Sequence, residues 1–127
     1  MGERETSRLQ ESLHGFLMVE GVQTAALIDI ATGMIVRSVG RPEPSLAATA
    51  ACVADEARTA RDALGADCPA EDLVEITTVT GSRLHVSTVL RRSPSEGLLL
   101  FVDLDRAKSN LGLAALRVGE LAPAVLA

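Results

Sequence analysis

Residues 22–30 read Val-Gln-Thr-Ala-Ala-Leu-Ile-Asp-Ile, and this stretch decides the fold class. Val22, Ala26, Ile28 and Ile30 share one parity, Ala25 and Leu27 the other, so a strand here is apolar on both faces. Such a strand belongs inside a sheet that is covered on both sides. Leu98 to Val102, within a strand ending at Asp105, is apolar throughout and marks a second central strand. Met34 to Val39 returns as a hairpin partner to the first strand, across the tight turn Ala31-Thr32-Gly33. Leu73 to Thr80 and Arg83 to Leu90 alternate apolar and polar residues around a Thr80-Gly81-Ser82 turn. An antiparallel sheet in the order 2-1-5-4-3 puts both apolar strands inside and leaves strand 3 at an edge.

Three helices complete the pattern. Leu9, Leu13, Phe16 and Leu17 stripe a first helix capped by Thr6 or Ser7. A long second helix, introduced by Ser45, runs to about Leu64 and ends at a Gly65 C-cap. The last helix runs from Leu111, capped by Ser109 or Asn110, to about Val125, and Pro123 kinks it or ends it early. The expected class is α+β with element order αββαβββα, in one domain spanning 1–127.

The second helix has more apolar surface than one neighbour needs. Leu46, Ala50, Val53, Ala57 and Leu64 form a stripe that Ala47, Ala48, Ala51 and Ala54 widen. Either one side packs on the sheet and the other meets a second chain, or a single broad face is buried. Strand 3 is a poorly protected edge with only Glu75 pointing out, and such an edge invites pairing. The two features point to one isologous dimer interface. Its expected members are Leu46, Ala50, Val53, Ala57, Val74, Ile76 and Thr78.

Composition narrows the function. Net charge is -5 and aromatics are 2%, without Trp or Tyr, so nucleic acid finds neither a basic field nor a stacking platform. No apolar run reaches the length of a membrane span and no signal-peptide pattern is visible, so a cytoplasmic location is expected. Cys52 is read as a small buried hydrophobe and Cys68 as a loop residue; nothing argues for pairing them.

These residues resemble the roadblock/LC7 family over about Ser12 to Leu121. The resemblance is carried by Gly21-Val22-Gln23-Thr24-Ala25-Ala26-Leu27-Ile28-Asp29 with Gly33, the Ala-rich second helix, and Asn110-Leu111-Gly112. Size, acidity and few aromatics look like the bacterial, especially actinobacterial, branch. The resemblance implies a roadblock/profilin-like homodimer with a sheet continuous across two chains, helix 2 on one face and helices 1 and 3 on the other. It also implies a scaffold or regulator of a Ras-like small GTPase, in bacteria often beside a sensor histidine kinase. Some members stimulate GTP hydrolysis and others only anchor the GTPase.

No catalytic, metal or cofactor constellation is expected. There is no phosphate-binding Gly motif, and His14 and His85 fall on different elements without partners at ligand spacing. His85 is read as an exposed strand residue. Asp29 is assigned to bonding within its turn. Asp103 and Asp105 are weighed as a carboxylate pair but assigned to the strand end and the turn beyond it. Arg58, Arg61 and Asp62 are read as a polar rim for a partner, with Arg58 or Arg61 as an arginine finger in the sharpest version. The plain alternative is pairing within the helix, Asp55 with Arg58 and Arg58 with Asp62. Arg91 and Arg92 are read as solvated. A small-molecule sensor is the rival to the adaptor, and an enzyme is the weaker one.

Overall fold

The computed structural model describes residues 3–67, 73–90 and 97–125, with side chains 3–6 and 66–67 excepted. The elements are α1 (Glu3–Phe16), β1 (Val22–Asp29), β2 (Ile35–Gly40), α2 (Leu46–Asp67), β3 (Glu75–Val79), β4 (Arg83–Leu90), β5 (Leu98–Asp105) and α3 (Leu111–Leu121). The five strands form one antiparallel sheet in the order β2-β1-β5-β4-β3, as the sequence pattern requires.

The two faces of β1 feed two cores. Ala25 and Leu27 join Leu13 and Phe16 of α1, Ala114 and Val118 of α3, and Leu84, Val86, Leu100 and Val102. Ala26, Ile28 and Ile30 join Leu99, Phe101 and the inner side of α2. Helix α2 therefore covers one face of the sheet, and α1 with α3 covers the other.

Four local expectations are corrected. A register shift between Val22 and Thr24 breaks the alternation, so Val22 packs with the α1/α3 core and not with Ala26. Helix α1 begins at Glu3, before Thr6 and Ser7. Helix α2 runs through Gly65 to Asp67, since a glycine inside a helix costs only about 1 kcal/mol and does not stop it. Cys52 is exposed because it lies on the outer side of α2. Helix α3 ends at Leu121, and Pro123 sits in a 3-10 turn that follows, which resolves the choice between kink and early end. Cys68, Arg91 and Arg92 lie outside the described residues.

Candidate functional site

The open part of the α2-facing sheet surface is the place where this fold leaves chemistry accessible. Helix α2 sits over β1 and β5, through Ala50, Val53, Ala54 and Ala57. The same face of β4 and β3 is less covered. Cross-strand pairing aligns Thr78 with His85 and Ile76 with Ser87, so these residues share that face. Thr78 is exposed there, while Ile76, Leu73 and Val89 pack partly against the α2 core; Val74, just before β3, is exposed and lines a cleft with Leu90, Ala122 and Pro123. Among the described residues, no outer strand pairs with β3.

Helix α2 divides the predicted interface residues. Ala50 and Ala57 are 0% exposed and Val53 7%, so all three face the chain's own sheet. The sequence stripe identified the buried side of the helix; it did not mark a surface free to meet a second chain. Leu46 is half-buried at the rim. The outward side carries Ala47, Ala48, Ala51, Cys52, Asp55 and Glu56, all exposed. Leu46, Val74, Ile76 and Thr78 thus remain at the surface or its edge, and the inner three do not.

A charged cluster lies on the same face. Asp103 of β5 is 4% exposed. Its carboxylate accepts from Arg83 Nε at 3.0 Å and from a second guanidinium nitrogen of Arg83. His85 Nε2 lies 3.2 Å from Asp103 Oδ1. The His85 ring also meets Phe101 edge-on, centroids 5.0 Å apart. Burial alone would raise the Asp103 carboxyl, but the hydrogen bonds from His85 and Arg83, with the Arg83 charge, hold it below the usual carboxylate range. Asp103 in turn raises Arg83.

His85 is therefore half-buried and partnered, against the exposed strand residue expected. The missed signal was register: β4 and β5 pair antiparallel so that His85 falls opposite Asp103. Asp103 and Asp105 do not act as a pair. Asp105 instead accepts from Ala107 N at 3.0 Å and caps the 3-10 turn Arg106–Lys108. Asn110, of the two candidates, caps α3 by accepting from Leu113 N at 3.0 Å.

Arg58 pairs with Asp55 at 3.3 Å, one of the two pairings of the plain alternative, and its other nitrogen donates to the carbonyls of Ile30 and Ala31. That grip ties α2 to the end of β1 and leaves the side chain engaged, which weakens the arginine-finger reading. Arg61 is half-buried and Asp62 exposed on the same helix. Asp29 accepts from the Thr32 hydroxyl at 2.8 Å inside its turn, and Thr32 accepts from Met34 N. Gly33 takes φ +76° in that turn, and a Cβ there would lie 3.1 Å from Ala51 Cα of α2. His14 is exposed on α1. Among the described residues, no three metal-binding side chains gather, and no helix is long and apolar enough to cross a membrane.

No protein-family model matches the chain, and no curated protein matches its sequence. Solved structures do match. The gliding protein MglB from Thermus thermophilus aligns with TM-score 0.78 and 22% identity, over 98% of this chain and 90% of that one. Myxococcus xanthus MglB aligns with TM-score 0.79 and 17% identity over the same shares, 98% and 90%. A roadblock/LC7 domain from Streptomyces avermitilis aligns with TM-score 0.73 and 17% identity, over 91% of this chain and 92% of that one. With its helix placement, its 2-1-5-4-3 sheet and these likenesses, the chain is a protein of the roadblock/LC7 fold.

Proposed function

We propose that this protein is a non-enzymatic homodimeric scaffold or regulator that binds a Ras-like small GTPase within a signalling module. The carrying observation is the unpaired β3 edge beside an open sheet face and the small-residue outer side of α2. Two such edges meeting about a two-fold axis pair their backbones and cover Val74, Ile76 and Thr78. The GTPase reading comes from the resemblance to the roadblock/LC7 family, to which the shared fold adds support. Arg61 and Asp62 are proposed as part of the polar rim, with Arg58 holding the helix in place. A cytoplasmic location fits this role.

The test is twofold. Light scattering gives the mass of the purified chain, with a dimer expected. Co-elution with bacterial small GTPases, loaded with GDP or with non-hydrolysable GTP, then reads partner binding. A dimer that retains no GTPase in either nucleotide state keeps the self-association and removes the partner.

One observation favours a second reading, a small-molecule sensor. A cleft of about 370 Å³ lies between the start of β3, the end of β4 and the turn after α3, lined by Val74, Val89, Leu90, Ala122 and Pro123. Melting-temperature shifts across a metabolite panel separate this reading from the adaptor.

A further inference from the structure

We propose that the cleft beside the end of α3 binds a small primary alkylamine. Glu75, Thr88 and the Gly119 carbonyl hold its ammonium, and Val74, Leu90 and Ala122 take its alkyl chain. The inference rests on the sensor reading above and names the ligand class for that cleft. Its volume of about 370 Å³ is near the lower end of small-molecule pockets and suits a ligand of few heavy atoms.

The lining sets the chemistry. Cross-strand pairing puts Glu75 of β3 opposite Thr88 of β4, so both share one sheet face. Along β4 that face also carries Val86 and Leu90 of the α1/α3 core, so it is the side away from α2. Glu75 is exposed and accepts from the Thr77 hydroxyl at 3.1 Å; none of the ion pairs among the described residues includes it. No basic side chain lines the cleft. The Thr88 hydroxyl is buried and, among the described residues, has no hydrogen-bond partner. That is a costly state for a hydroxyl, and a turn about χ1 exchanges it with the methyl group and brings it to the cleft. The third acceptor comes from α3. Pro123 has no N–H to give the Gly119 carbonyl four residues back, so this wall of the cleft ends on a carbonyl without its helical donor. A helix C-terminus favours a cation, and the last turn of α3 holds no basic residue. An ammonium brings three N–H donors and no acceptor, as a lysine head does. A carboxylate meets Glu75 and the helix end unfavourably, and a neutral alcohol makes only the apolar contacts and one hydrogen bond.

The experiment titrates the full chain with 3-methylbutylamine, 3-methylbutanol and 3-methylbutanoate, read by amide chemical shifts in NMR. The amine is expected to move the amides of Glu75, Thr88 and Gly119 saturably. It should bind about threefold or more tighter than the alcohol, the scale of an exposed ion pair. The acid is expected to leave these amides unmoved. Glu75→Gln should bring amine and alcohol to equal Kd. A Cβ at Gly119 meets nothing within 4 Å, so Gly119→Leu fills the cleft from the helix side. That variant should lose both ligands while keeping Tm within about 3 °C of wild type or above it, since leucine favours helix over glycine. An amine that binds no tighter than the alcohol, or that still binds Gly119→Leu, overturns the proposal. So does an amine preference that survives Glu75→Gln. A panel metabolite of another class that moves the same amides while the amine does not overturns the amine and keeps the sensor reading.

Discussion

Ala50→Glu and Val74→Asp look alike as charges placed in a predicted contact, and the structure separates them. Ala50 is 0% exposed within the α2 core, against Ala26, Ile28 and Phe101. Glutamate there adds a methylene and a carboxyl group to a filled space, at about 1–3 kcal/mol. It also buries a carboxyl without a partner, at roughly 2–7 kcal/mol even when it protonates. Domains of this size hold about 5–15 kcal/mol in total. Ala50→Glu is therefore expected to lower Tm by at least about 10 °C or to leave no cooperative transition. Val74 is 66% exposed immediately before the edge strand β3. Val74→Asp is expected to keep Tm within about 3 °C, as surface substitutions do, while light scattering shows monomer. Both variants are read by thermal circular dichroism and light scattering. The reasoning is refuted by an Ala50→Glu chain that melts like wild type but has lost its dimer, or by an unaltered mass for Val74→Asp.

Three further outcomes follow from the geometry. Asp103→Asn leaves Arg83 and His85 without their carboxylate and should cost about 3–5 kcal/mol at neutral pH, read by urea unfolding. Because the Asp103 carboxyl is held low, its stabilisation is present above the ordinary carboxylate pKa and is lost as pH falls through the lowered value. Asp103→Asn should flatten that acid limb, and an unchanged acid limb refutes the assignment. Gly40 has φ +100°, and a Cβ there would sit 2.4 Å from the Gln23 carbonyl oxygen; Gly40→Ala should cost at least about 2 kcal/mol in the same unfolding assay. Asn110→Ala removes the α3 cap and should cost about 1 kcal/mol, lowering Tm by roughly 3–6 °C in calorimetry.

The sheet was legible because its signal is local. Two-sided apolarity in 22–30 and 98–102 identifies central strands from side chains alone, and the strand order follows. Features that depend on register or on helix rotation were harder to read. Val22 changes face through a bulge that no residue type announces. An Ala-rich surface gives α2 no charged residue to mark its outer side until Asp55, so Ala50 and Ala51 read alike although one is buried and the other exposed. His85 and Asp103 are 18 positions apart in sequence and meet only through the β4–β5 pairing. Arg58's grip on the Ile30 carbonyl is likewise a contact between distant segments, which periodicity cannot show.

The 2-1-5-4-3 order also has a consequence for how the molecule forms. The pairs β1–β2, β3–β4 and β4–β5 each join strands that follow one another in the chain. The β1–β5 seam alone unites the two halves of the sheet, and it pairs Ala26 with Phe101 and Ile28 with Leu99. Each half can assemble locally at small entropic cost, whereas this central seam must close a loop containing most of the chain. The slow step of folding then falls in the middle of the finished sheet. Until it closes, β1 and β5 each expose an apolar edge, the surfaces most prone to mispairing in a crowded solution.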